Sequence, residues 1–219
     1  MLRLENVSYR YRNGERDVVK DVTCEFEDGK ISAVMGPSGS GKTTLLSLLA
    51  GLDKPVSGNV FIDADNLAGL NLDQYRKERV SMIFQAFHLF PLLTALENVC
   101  YPMAMNGIVR FKALERAKVL LNSVEIGDEL HKRYPSNLSG GEQQRVAISR
   151  ALATGARVLL ADEPTGNLDA QNGEIIMTIL RRLAHEEKYC IVVVTHNQAI
   201  AEASDMVYRM KDGGLAPNR

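Results

Sequence analysis

The chain has 219 residues, with 26 Lys plus Arg against 27 Asp plus Glu and a formal net charge of −1. That balance argues against a dedicated nucleic-acid binder, which needs a basic surface to displace counterions. No run approaches 18 consecutive apolar residues, so no transmembrane helix is expected, and the charged, alternating start does not read as a signal peptide.

From the N-terminus, the pattern predicts short strands at Leu2 to Tyr9, Asp21 to Phe26 and Ile31 to Met35, separated by the turn pairs Asn13-Gly14 and Asp28-Gly29. A helical run follows at Thr44 to Ala50, and another strand at Val60 to Ile62. From about Phe87 to Thr154 no strong strand appears. Lys112 to Val124 and Glu142 to Ala153 read as helices, so this stretch is expected to form a helical lobe inserted into an α/β core. Val158 to Ala161 and Ile191 to Val194 are short and uniformly apolar, as central strands of a parallel sheet covered on both faces are. Between them Asp169 to Ala184 carries Ile175, Ile176, Ile179, Leu180 and Leu183, the stripe of an amphipathic helix, and the order strand–helix–strand predicts a βαβ crossover. Cys24, Cys100 and Cys190 lie far apart without CxxC spacing, which suggests buried thiols in a reducing compartment.

Gly36-Pro37-Ser38-Gly39-Ser40-Gly41-Lys42-Thr43 fits G-x-x-x-x-G-K-[ST], between a predicted strand and the helical run that begins at Thr44. Glycines let backbone N–H groups turn inward around phosphate oxygens, and the helix points its positive end at the same place. Lys42 supplies a charge for the β- and γ-phosphates, and the Thr43 hydroxyl can ligate Mg²⁺. Asp162-Glu163-Pro164 closes the apolar strand 158–161, where open α/β sheets bind ligands. Asp162 is placed for the Mg²⁺ shell, and Glu163 for orienting and polarising a water for in-line attack. A second glycine-rich site, Leu138-Ser139-Gly140-Gly141-Glu142, opens the helix 142–153. Ser139 is a good N-cap, and the glycines permit close approach to free helix N–H groups.

Two anion sites in different lobes of one chain suit a symmetric dimer in which the second site of one chain covers the nucleotide of the other. This ordering resembles the ATP-binding cassette (ABC) ATPases over the whole chain, Leu-Ser-Gly-Gly being that family's signature. The resemblance implies a P-loop NTPase core with a mainly parallel sheet, an antiparallel β subdomain and an inserted helical subdomain. Residues 1–86 and 155–219 would form the core and β subdomain, and 87–154 the helical one. It implies ATP and Mg²⁺ as ligands, with Gly36, Ser38, Gly39, Ser40, Gly41, Lys42, Thr43 and Thr44 around the phosphates. Gln85 matches the Q-loop glutamine, expected to sense Mg²⁺ and the attacking water and to link the site to the helical lobe. His196 matches the switch histidine at the γ-phosphate, and Asp169 of Gly166-Asn167-Leu168-Asp169 the D-loop residue at the dimer interface. Asp169 also suits the N-cap of the helix after it. Tyr11 matches the aromatic that stacks on adenine, with Tyr9 on the same strand face.

As partners the resemblance implies a second copy of the chain, head to tail, and a membrane permease on another polypeptide, docked near Phe87 to Val99; nucleic acid is not expected. The chain would then be cytoplasmic and peripheral on the inner face of the membrane. The segments 93–99, 138–146 and 161–169 look most like the branch of macrolide and peptide exporters, lipoprotein-releasing ATPases and the cell-division ATPase, the last a non-transporting alternative. Coiled-coil repair ATPases fit poorly, since the stretch between residues 42 and 139 holds neither a coiled coil nor a zinc module. Tandem-cassette translation factors and P-loop kinases or GTPases fit poorly too.

Overall fold

The computed structural model describes residues 1–12 and 14–218, so Asn13 of the expected Asn13-Gly14 turn lies outside the described residues. The chain opens with β1 (Leu2–Tyr9), β2 (Val19–Phe26) and β3 (Ile31–Met35), then the helix α1 (Lys42–Leu49). Next come β4 (Ser57–Ile62), the two-residue β5 (Asp65–Asn66), α2 (Leu72–Glu78) and β6 (Val80–Ile83). Three helices fill the middle: α3 (Ala95–Met105), α4 (Arg110–Ser123) and α5 (Gly140–Leu152). Then follow β7 (Val158–Asp162), α6 (Ala170–His185), β8 (Cys190–Thr195), α7 (Gln198–Glu202), β9 (Met206–Lys211) and β10 (Gly214–Pro217). The expected strands and helices are present, β1 and β3 with the expected ends and the others with ends shifted by at most three residues. The elements β5, α2, β6, α3, α7, β9 and β10 were not anticipated.

The strands form two sheets. A four-stranded antiparallel sheet runs β2-β1-β4-β5, and a six-stranded sheet runs β10-β9-β3-β8-β7-β6. In the second sheet β9, β3, β8, β7 and β6 pair in parallel, and β10 adds an antiparallel edge. The strands β7 and β8 flank the helix α6 in sequence and are adjacent and parallel in the sheet, as the uniform apolar runs predict.

Both faces of the parallel sheet are covered, and side-chain alternation divides its residues between two cores. Leu159, Ala161, Ile191 and Val193 pack on one side with residues of α3, α4, α5 and α6. Leu160, Val192, Val194 and Val34 pack on the other with α1 and the antiparallel sheet, where Leu2, Leu4 and Phe26 are buried. A one-residue slip of β7 or β8 would exchange these two sets, so the register is fixed from both sides.

That register sets the site. Met35 pairs with Thr195, Val194 with Asp162, and Ala161 with Ile83. The carboxyl ends of β3, β8, β7 and β6 therefore lie side by side along one edge. The phosphate loop leaves β3, His196 leaves β8, Glu163 leaves β7, and Gln85 follows β6 with Phe84 between.

Candidate active site

The loop between β3 and α1 turns back on itself through glycines. Gly39 has φ 77° and Gly41 φ 108°, in the left-handed region that costs an L-residue energy. A Cβ at Gly41 would also meet the carbonyl of Val18 at 2.6 Å. Lys42 reaches back over the loop, and its Nζ donates to the carbonyls of Gly36 (2.9 Å) and Pro37 (3.0 Å). Those carbonyls hold the ammonium at the mouth of the loop. Ser40 is buried there and its Oγ has no partner among the described residues.

The acidic pair faces this loop. Thr43 Oγ1 donates to Asp162 Oδ2 at 3.3 Å, across 119 positions of sequence. Burial raises the Asp162 carboxyl pKa above the usual carboxylate range, against the pull of the Thr43 hydroxyl and of Lys42, while the charge of Glu163 adds to the rise. Glu163 has φ 47°, and its N–H donates to Val194 O at 2.9 Å, extending the β7–β8 ladder by one bond. A non-glycine residue in this conformation costs roughly 1–2 kcal/mol. It turns the carboxylate toward β8: Oε2 accepts from Thr195 Oγ1 at 3.2 Å, and Oε1 lies 2.7 Å from His196 Nδ1.

Gly39, Gly41, Lys42, Thr43, Asp162, Glu163 and His196 line one cleft of 590 Å³, together with Tyr11, Ser38, Thr44 and Gln85, whereas the expected Gly36 and Ser40 are not among its walls. Tyr11 lies beyond the end of β1 and is half exposed, and its hydroxyl is 2.8 Å from Thr44 Oγ1. Tyr9 points elsewhere: it is buried and donates to Asp53 Oδ1 at 3.0 Å. The two rings still pack edge to face, 5.1 Å between centroids, and it is their hydroxyl partners and exposure that differ.

Comparison with known proteins bears on what this cleft is. The family model described as "ABC transporter" matches residues 19–166. The ABC transporter ATP-binding protein MJ0796 of Methanocaldococcus jannaschii is 42% identical, over 97% of this chain and 94% of its own. The chain belongs to the ABC transporter ATP-binding family.

Other relatives extend the picture. The lipoprotein-releasing system ATP-binding protein LolD 2 of Rhodopirellula baltica is 44% identical, over 96% of this chain and 86% of its own. The macrolide export ATP-binding/permease protein MacB of Brucella melitensis is 40% identical over 98% of this chain; the chain spans 34% of that protein's length. Among solved structures, the dimeric post-hydrolysis state of MJ0796 bound to ADP and Pi superposes with a TM-score of 0.89 at 38% identity, covering 100% of this chain and 98% of that one. The cassette is thereby an ATP-binding, ATP-hydrolysing domain of the P-loop α/β class.

Elsewhere in the cassette, Ser139, Gly140 and Gly141 do not line the cleft of their own chain. Ser139 caps α5 in a two-way box: its Oγ accepts from Glu142 N (3.3 Å), and Glu142 Oε2 accepts from Ser139 N (2.6 Å). Asp169 also lies outside the cleft and caps α6 through Asn172 N at 2.8 Å. Hydrogen bonds from the Asn172 backbone and side chain hold its carboxyl below the usual range.

Three residues that sequence reasoning missed tie these parts together. Asn167 and Gln85 clasp each other: Gln85 Nε2 donates to Asn167 Oδ1 (3.1 Å), and Asn167 Nδ2 to Gln85 O (2.9 Å). Gln144, fully buried on α5, donates to Pro164 O at 2.7 Å, just past Glu163. Arg150, at the other end of α5, binds the carbonyls of Phe87 and His88. A polar residue on the buried face of a helix is the signal that could have found Gln144. Asn167 and Arg150 leave none, because their partners are distant in sequence.

A second depression, a groove of 340 Å³, opens between the sheet edge and α3. Leu52, Met82, Phe84, Phe90, Tyr101 and Arg150 are among its walls. The rings of Phe90 and Tyr101 pack at 4.6 Å between centroids. Among the described residues no helix is long and apolar enough to cross a membrane.

Proposed function

We propose that this cassette is the motor of an export-type or lipoprotein-releasing ABC transporter, closing as a head-to-tail dimer on two ATP and driving a membrane permease. The observation that carries the reading is the alignment of β3, β8, β7 and β6, which brings Lys42, Thr43, His196, Asp162, Glu163 and Gln85 to one cleft while the Ser139-Gly140-Gly141 motif lies outside it. A motif that is family-specific yet absent from its own chain's cleft is available to a partner's. Similarity to LolD and MacB supports the branch.

In this reading Lys42 and the loop 36–43 hold the phosphates, and Tyr11 stacks on the base. Thr43 and Asp162 are a fitting pair for Mg²⁺: one hydroxyl and one carboxylate within hydrogen-bond distance, with no group of three acidic, His or Cys side chains around them among the described residues. Mg²⁺ is commonly held by one or two carboxylates plus substrate phosphates and water, and when bound it would neutralise charge on the transferring phosphoryl group. Gln85 completes the metal and water environment. Glu163 orients the attacking water, with Thr195 and His196 fixing the carboxylate, and His196 turns to the γ-phosphate when ATP is present. Ser139, Gly140 and Gly141 close on the partner's γ-phosphate, and Asp169 lies at the dimer seam. Residues 87–154 act as a lobe that moves with this closure. The apolar groove receives the permease, since Phe90 from the expected docking segment and Tyr101 just past it form its wall.

Glu163→Gln tests the core of the reading. The variant should lose at least about a hundredfold in turnover, the usual cost of removing a general base. It should also elute as a dimer on a sizing column with ATP and as a monomer without it. A variant that stays monomeric with ATP would sink the two-chain site.

A further inference from the structure

The turn after Gln85 adopts an unusual backbone. Phe87 has φ 56° and His88 φ 49°, two consecutive non-glycine residues in the left-handed region. L-residues adopt this region against a steric penalty and persist there only where the surroundings impose it. The turn has a backbone bond of its own, His88 N donating to Ala86 O at 2.5 Å, and one side chain reaches both of its turned carbonyls. Arg150 Nη2 donates to Phe87 O at 3.0 Å and Nη1 to His88 O at 2.5 Å. The planar guanidinium fork suits two carbonyls turned the same way, which a lysine ammonium does not match.

Arg150 forms no ion pair among the described residues, and burial lowers its pKa, so these two carbonyls are its principal compensation. It stands in the last turn of α5, the helix that Ser139 opens. At the first turn of that helix the ring of Phe87 approaches Gly140, 3.7 Å from where a Cβ would lie. The turn is thus fastened to both ends of α5. On its other side Gln85 is clasped to Asn167, and a Cβ at Gly166 would come within 2.8 Å of Gln85 Nε2. Arg150 also lines the apolar groove and lies 5.8 Å from the Phe90 ring centroid.

We propose that Arg150 is a positioning residue: it holds the 87–88 turn in its left-handed form, thereby sets Gln85 over the nucleotide cleft, and so couples the groove to hydrolysis. The inference rests on the reading of Gln85 given above. An occupant of the groove that displaces the Arg150 guanidinium would release the turn, and the position of Gln85 with it.

The experiment compares steady-state ATP hydrolysis, across a Mg²⁺ titration, for the purified full chain and for Arg150→Ala, Arg150→Lys and Gln85→Ala. Each Arg150 variant is also made in a His88→Gly background, and melting temperatures report folding. Arg150→Ala should lower kcat by about tenfold, a cost in keeping with a small misplacement at an active site. The KM for ATP should change little, because the phosphate loop is untouched, and half-maximal activity should need more Mg²⁺, as in Gln85→Ala. Arg150→Lys should recover only part of kcat. Glycine at 88 accepts a positive φ without strain, so His88→Gly should restore several-fold of the lost kcat in the Arg150→Ala background. An unchanged kcat in Arg150→Ala, or a loss that glycine does not relieve and that leaves the Mg²⁺ dependence unmoved, overturns the proposal. Should Arg150→Ala fail to fold, Arg150→Lys with and without His88→Gly carries the same comparison. A silent Gln85→Ala would overturn the reading of the cleft together with the latch. A damaging Gln85→Ala beside a silent Arg150 series would overturn the latch alone.

Discussion

Asp162 has a side chain that works against stability. Its carboxyl is partly withdrawn from water at the end of β7, and burial raises its pKa despite the Thr43 hydroxyl and Lys42. A raised carboxyl pKa means the folded state binds the proton more tightly than the unfolded state does. The folded protein therefore bears no penalty below the unfolded value, near 4, and is destabilised progressively as pH climbs from there through the folded pKa. Asp162→Asn keeps an oxygen for Thr43 and removes the charge. The nucleotide-free variant should melt above the parent at pH 7.5. That gap should close as pH falls below about 4. Adding Mg²⁺ and ATP should raise the melting temperature of the parent much more than that of the variant. Differential scanning calorimetry at several pH values checks both; a less stable Asp162→Asn at neutral pH would contradict the argument. The acids, the phosphate loop and His196 were legible because each is a short string ending a recognisable strand. Arg150 and Asn167 were not, because what defines them is a carbonyl or an amide more than 60 positions away.

At the scale of elements, helix α5 carries two demands at its first turn. Ser139 and Glu142 satisfy the free N–H groups of the helix and its cap, and the proposed function also requires the Ser139 hydroxyl to meet a partner's phosphate. The two roles separate by substitution. Aspartate caps a helix about as well as serine, within roughly 0.5 kcal/mol, whereas alanine costs about 1 kcal/mol. Ser139→Asp should therefore unfold in urea near the parent's midpoint but place a carboxylate against the partner's γ-phosphate. Its ATP-dependent dimer should be lost in a background that otherwise traps it, Glu163→Gln. A normal dimer in that double variant would assign Ser139 to capping alone. The same box stands in the sequence before α3, where Thr94 Oγ1 accepts from Glu97 N and Glu97 Oε2 from Thr94 N. That helix escaped prediction because Pro102 lies inside it and its first turns run on from the apolar segment 87–93, which hides the period. The strand β6 escaped because Ser81 breaks its apolar run. Ser81 is buried, its hydroxyl 2.7 Å from Thr154 Oγ1 and 3.1 Å from Ala151 O, contacts to the end of α5 that no local pattern announces.

For the whole molecule, one sheet serves two cores, and the cleft opens at its carboxyl edge rather than inside either core. The loops lining the cleft are thus open to a second copy, while α5 displays Ser139 on a surface of its own. In the proposed head-to-tail pair each site would combine the phosphate loop of one chain with the Ser139 motif of the other, and twofold symmetry would give two such composites. Complementation reads this arrangement directly. Glu163→Gln and Ser139→Asp chains should each be nearly inactive alone. In a mixed dimer both lesions fall in one composite site, and the other site receives Glu163 from one chain and Ser139 from its partner, both intact. Mixing equal amounts before adding ATP should restore activity, up to about a quarter of the parent's, since half the dimers are mixed and each has one sound site of two. A site built within one chain gives no such recovery, because every chain in the mixture then carries its own defect. ATPase activity that stays at the sum of the two separate variants, with mixed dimers verified by differently sized tags, would therefore place Ser139 outside the composite site.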